Sequence, residues 1–153
     1  MIELAPGHKY GLPINNPVML AAGTIGYGET VPDGADLPSL GAVVIGPFMR
    51  NSRAGHDVQR LAETNGGLVL YTGLQNRGVK AARKKFGRLW PDLGCPVIAQ
   101  IADSAPRMLS RVAELLTSAE GLSGLELLLP THATSEIVYE LVRQAVRHSD
   151  LPV

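Results

Sequence analysis

The sequence predicts an α/β protein assembled from successive β-α units around one parallel sheet. Three observations carry that prediction. Four short apolar runs, rich in Val, Ile, Leu or Ala and bounded by turn residues, cover Pro17 to Gly23, Ala42 to Phe48, Pro96 to Ala102 and Leu125 to Pro130. Between and after the later runs the apolar residues change to a helical period, over Ala105 to Ser118 and Ser135 to His148. Of the 153 residues 45% are hydrophobic but only 5% aromatic, so the core is aliphatic, as in strands buried on both faces.

Taken in order, Ile2-Glu3-Leu4 and Gly11-Leu12-Pro13-Ile14 flank a Pro6-Gly7 turn and predict a small hairpin covering one end of the sheet. The first strand ends in Ala21-Ala22-Gly23-Thr24, followed by Gly26-Tyr27-Gly28. Small residues there serve either close packing or the approach of a flat ligand to the backbone, and this stretch alone leaves both open. After the second strand, Met49 to Leu70 shows no helical period and carries Asn51, Gly55, Asn65, Gly66 and Gly67, which predicts a long loop. Next, Lys80, Lys84 and Arg88 recur every four residues while Val79, Ala82 and Phe86 mark a buried side, so this basic cluster is the solvated face of a helix.

The third strand is led by Cys95-Pro96-Val97. In the helix that follows, Met108, Val112, Leu115 and Leu116 share a face and Pro106 suits the first turn. The last helix carries Ile137, Val138, Leu141, Val142 and Ala145 on one stripe, with Thr134 as its cap and Glu136 in its first turn. Leu151-Pro152-Val153 echoes the third strand's entry and predicts the start of a fifth strand.

Charge narrows the function classes. Lys+Arg and Asp+Glu are 14 each and charged residues make up only 18%, which argues against a nucleic-acid partner. The four histidines, at 8, 56, 132 and 148, have no ligand spacing, so no metal site is expected. A lone cysteine, Cys95, fits a reducing compartment and a small packed thiol. The start lacks a basic segment followed by an apolar one, and no run approaches the roughly 18 apolar residues of a membrane span, so a single cytoplasmic domain over 1–153 is expected.

The motifs are more specific. Ser52-Arg53-Ala54-Gly55, then Arg60-Leu61-Ala62-Glu63-Thr64, Gly66-Gly67, Gly73-Leu74-Gln75-Asn76 with Gly78, Pro96-Val97-Ile98 and Leu125-Glu126-Leu127 follow one another in an order and spacing that resemble the dihydroorotate dehydrogenase family. Members are flavin enzymes with a (β/α)8 barrel that oxidise dihydroorotate to orotate in pyrimidine biosynthesis. The resemblance runs from about Ile2 to Val153 and reaches only the start of the family's fifth strand. Since such barrels take about 250 residues, it implies a partial TIM (β/α)8 barrel: about four β-α units over 16–153, preceded by a short N-terminal hairpin over 1–15.

The resemblance further implies FMN as cofactor, with Ala22, Gly23 and Thr24 along the flavin. Gly73, Leu74 and Asn76 would shape the side facing a small dihydroorotate-like substrate, and Thr131 would stand at the base position. It also implies self-association, or a partner chain that completes the barrel. Several positions depart from the family pattern. Ile45-Gly46-Pro47 stands where the family has Thr-Lys-Thr, Leu70 where it has the Asn of an Asn-Ser-x-Gly-Leu loop, and Arg77 where Pro is common. Leu128-Leu129-Pro130-Thr131-His132-Ala133 replaces Asn-x-Ser-Cys-Pro-Asn. Two functions from different classes follow: an FMN-dependent oxidoreductase, or a non-catalytic pseudoenzyme or truncated half-barrel acting as a binding or assembly module.

Overall fold

The computed structural model describes residues 1–57 and 59–153. Strands β1 (Ile2–Glu3) and β2 (Pro13–Ile14) pair antiparallel with Ile2 opposite Ile14, which is the expected hairpin. The Glu3 carboxylate fastens it, accepting from the Ala5 N–H at 2.8 Å and from the Leu12 N–H. Then come β3 (Met19–Leu20), a 3-10 turn at Leu37–Ser39, β4 (Ala42–Phe48), β5 (Leu61–Thr64), β6 (Gly67–Leu70) and α1 (Val79–Phe86). A second 3-10 turn at Trp90–Asp92 leads into β7 (Val97–Ile101), α2 (Pro106–Thr117), β8 (Gly124–Leu127) and α3 (Ser135–Arg147).

Strands β3, β4, β7 and β8 lie side by side in that order, every pair parallel. Parallel neighbours joined through helices are the winding of a β/α barrel, and the chain forms part of one. Successive residues of β4 alternate between two cores. Val43, Ile45 and Phe48 face the helices with Val97, Ala99, Ile101, Leu109, Val112 and Leu116. Ala42 and Val44 face the other way, and with Ile98 they pack on Leu12 and Ile14 of the hairpin segment, which closes that side of the sheet. Leu125 donates its N–H to the Pro152 carbonyl at 2.8 Å, so the Leu151–Val153 segment lies beside β8 where a fifth strand was expected.

Several expectations need correction. The segment Met49 to Leu70, expected to be one long loop, contains the antiparallel β5–β6 hairpin around Asn65-Gly66, with Leu61 opposite Leu70; Val58 lies outside the described residues. Every residue of both strands is exposed, so no buried face imposed the alternation by which strands are recognised. The first strand shrinks from Pro17–Gly23 to two residues, because Pro17 has no N–H and the chain turns at Ala21, whose carbonyl takes the Thr24 N–H at 3.3 Å. In α2 the buried stripe is Leu109, Val112, Ala113 and Leu116, leaving Met108 outside.

Helix α3 buries Leu141 and Ala145, and the Thr134 hydroxyl caps it by accepting from the Ile137 N–H at 3.4 Å. Ile137 and Val142, expected on its buried stripe, are exposed. Val142 instead borders a groove of about 400 Å3 beside β8, with Leu127, Leu129, Pro152 and Val153. Around α1, Val79, Ala82 and Phe86 are buried as expected. Arg83 of the same helix donates to the Leu115 and Ser118 carbonyls at 2.6 and 2.8 Å, closing the C-terminus of α2. No helix among the described residues is long and apolar enough to cross a membrane.

Candidate functional site

The C-terminal ends of β3, β4 and β7 open into a cleft of about 600 Å3, within the size range of small-molecule sites. One wall is the loop after β3, with Ala22, Gly23, Gly26 and Tyr27. Gly46 and Pro47 come from the end of β4 and Gln100 from β7. The opposite wall is the chain leaving β6, with Leu70, Thr72, Leu74, Gln75, Asn76 and Arg77.

Tyr27 ties these walls together. Its hydroxyl donates to the Pro47 carbonyl at 3.1 Å and accepts from the Arg77 N–H at 3.2 Å, so both of its hydrogen-bonding roles on the walls are taken. The ring stacks on Phe86 at 5.4 Å, and the Trp90 indole N–H donates to the Tyr27 carbonyl at 2.9 Å. Burial pushes the phenol upward from its ordinary range, and the hydrogen bond from the Arg77 N–H opposes that only in part. The loop after β4 is held from β7, where the buried Asp103 carboxylate accepts the Arg50 N–H at 2.6 Å and is pushed upward by desolvation.

Asn76 holds the opposite wall. Its backbone exchanges hydrogen bonds with Arg53 at 2.9 and 3.0 Å. Its side chain accepts the Gly78 N–H at 2.8 Å and donates to the Leu74 carbonyl at 3.1 Å, all with the residue 6% exposed. Asn76→Ala orphans a buried N–H and is expected to lower stability by about 1 to 3 kcal/mol. Asn76→Asp keeps the acceptor and should lose less. Urea midpoints followed by circular dichroism measure both, and equal midpoints for wild type and Asn76→Ala would contradict this role. Gly73 is needed beside it, because at φ +65 its Cβ would lie 2.6 Å from the His56 nitrogen.

At the position aligned with the family's Lys, Gly46 has φ +129, and a Cβ there would sit 3.0 Å from the Gln100 carbonyl oxygen. Across from it the Gln100 amide donates to the Glu126 carboxylate at 2.6 Å, the two residues being register partners on β7 and β8.

Of the residues named from the sequence, Ala22, Gly23, Leu74 and Asn76 line this one cleft. Thr24 and Gly73 flank it in the chain without lining it, and Thr131 is exposed in the turn after β8, outside the lining. Tyr27 and Gln100 were missed. Gln100 left one signal, a single polar side chain inside an apolar strand, two residues from the inward-facing Ile98. Tyr27 left none beyond its flanking glycines. Among the described residues the lining contains no carboxylate, lysine or histidine.

A parallel β/α sheet of this kind is part of a β/α barrel, and its ligand-sized cleft lies at the carboxyl ends of the strands, the face where such barrels hold their sites. The family model described as Dihydroorotate dehydrogenase matches residues 7–126, and the chain belongs to that family. It is 39% identical over 117 residues to the dihydroorotate dehydrogenase B (NAD(+)) catalytic subunit of Solidesulfovibrio magneticus, covering 76% of this chain and 38% of that protein. The corresponding subunit of Staphylococcus carnosus is 31% identical over 153 residues, covering 94% of this chain and 50% of that protein. The chain thus spans half or less of the length of these relatives.

Proposed function

We propose that this chain forms the N-terminal, flavin-facing part of a dihydroorotate dehydrogenase-type site, a single partial-barrel unit over 1–153 that works in the cytoplasm. The space over Gly23 carries this reading. Apart from its two chain neighbours, no described residue has an atom within 4 Å of where its Cβ would be, so a flat ring can reach the backbone at the strand ends. Ala22, Gly23 and Thr24 hold the flavin ring, and Gly73, Leu74 and Asn76 shape the side facing a dihydroorotate-like acid. Thr131, at the same end of the sheet, takes the base position. The cofactor supplies hydride acceptance, while this chain orients the ring and excludes water from one side of it.

Turnover requires groups that this cleft lacks. They come from a further β/α segment or subunit seated beside β8, where the apolar groove bordered by Leu127, Leu129 and Val142 awaits cover. The relatives run to twice the matched length or more, which supports a further segment there. The absence of carboxylate, lysine and histidine from the lining favours a second reading, a binding module without catalysis. Anaerobic mixing of the FMN-loaded protein with dihydroorotate, in the presence of the segment or subunit that completes the barrel, separates the two. Bleaching of the flavin supports the oxidoreductase, and flavin that stays oxidised supports the binding module.

A further inference from the structure

We infer that Arg77 is the anion-binding residue of the cleft and pairs with the acidic group of the ligand, a carboxylate on a planar ring or a flavin phosphate. This rests on the small-molecule site proposed above and assigns its charge recognition to one side chain.

Arg77 is the only cationic side chain in the lining among the described residues, and no carboxylate lines the cleft to neutralise it. The ion pairs of the described residues, Lys9–Asp150, Arg111–Glu114 and Arg143–Glu140, leave it out. Its guanidinium makes no hydrogen bond there and rests over the Phe86 ring, 5.7 Å from the centroid. Glu29, the carboxylate of the loop after β3, is committed to the Tyr27 N–H. The backbone beneath Arg77 is nonetheless fixed, by its N–H to the Tyr27 hydroxyl and by the Asn76 bridge to Arg53. An anchored main chain with an uncommitted planar cation suits bidentate pairing with carboxylate or phosphate oxygens. A second guanidinium strengthens the field: Arg60 donates to the His56 carbonyl at 2.6 Å and to the amide oxygen of Gln75, which also lines the cleft. Arg77 belongs to the wall formed by the chain after β6 and Arg60 is bonded to that wall through Gln75, whereas the carboxylate held by a lining side chain, Glu126 on Gln100, lies on the β7–β8 side, so an anion is favoured at the Arg77 wall.

The test titrates the full chain, as wild type, Arg77→Gln and Arg77→Lys, with orotate, FMN and riboflavin at low and high salt. Arg77→Gln should weaken one of the two anions by about tenfold or more and flatten its salt dependence, with Arg77→Lys intermediate. Riboflavin, which has no phosphate, should bind all three proteins alike. Loss confined to FMN identifies the phosphate as the partner, and loss confined to orotate identifies the carboxylate. If wild type and Arg77→Gln hold both anions equally while flavin binds, the assignment of Arg77 is overturned and the flavin site stands. If wild type takes up no flavin and no orotate, both fall. Arg77 is exposed, and matching circular dichroism spectra confirm that the variants fold.

Discussion

Trp90→Ala is expected to lower the unfolding free energy by about 3 to 5 kcal/mol, the largest loss of any single change near the site. Trp90 is 1% exposed and sits edge-on to Phe48 at 5.8 Å, between the end of β4 and the loop after β3. Its indole N–H is also the partner of the Tyr27 carbonyl. Truncation therefore leaves a cavity and a buried carbonyl without its donor. Against a total of about 5 to 15 kcal/mol for a natural domain, such a loss brings the protein to the margin of folding. Trp90→Phe keeps part of the volume and loses the hydrogen bond, so its midpoint should fall between the two. Urea unfolding followed by far-ultraviolet circular dichroism is the measurement, because the substitution removes the only tryptophan. A Trp90→Ala midpoint equal to wild type would show that the cleft is not hung on this ring.

Gly46→Lys, which writes the family's residue back into β4, is expected to destabilise by about 1 to 3 kcal/mol and to gain no orotate binding. The obstacle is the backbone. At φ +129 a side chain is strained, and its Cβ would meet two main-chain atoms, the Gln100 oxygen at 3.0 Å and the Phe48 nitrogen at 3.2 Å. Neither can swing aside without disturbing the β4–β7 ladder, whose register already shifts between Ile45 and Phe48. Leu70→Asn is the contrasting case. Leu70 is 67% exposed at the end of the β5–β6 hairpin, so this change should move stability by less than about 0.5 kcal/mol. Thermal melts of the two variants measure the difference. A stable Gly46→Lys protein that binds orotate more tightly than wild type would mean that only a side chain had been lost.

The same contrast explains what the sequence made legible. Ala42–Phe48 was read to its exact bounds because both faces are buried and the run is unbroken. The Thr134 cap was legible because it depends on residues three apart in the chain. The β5–β6 hairpin was hidden because neither of its faces is buried, although Asn65-Gly66 marked its turn. Within the cleft, Ala22, Gly23, Leu74 and Asn76 came from family motifs, whereas Tyr27 and Gln100 act through partners 20 to 50 residues away, Pro47, Arg77 and Glu126, which no local pattern announces. The exposed Ile137 and Val142 of α3 were assigned to the core because their spacing fits a buried stripe, and spacing does not say whether a neighbour exists to cover it.

The flavin-binding face proposed above lies at the ends of β3, β4 and β7. Equilibrium titration of the full chain with FMN, followed by flavin fluorescence, tests it most directly when wild type is compared with Ala22→Phe, which fills the cleft beside Gly23. Saturable uptake by wild type that is lost in a folded Ala22→Phe variant is the predicted result. No saturable uptake by wild type, or uptake that Ala22→Phe leaves unchanged, would contradict it.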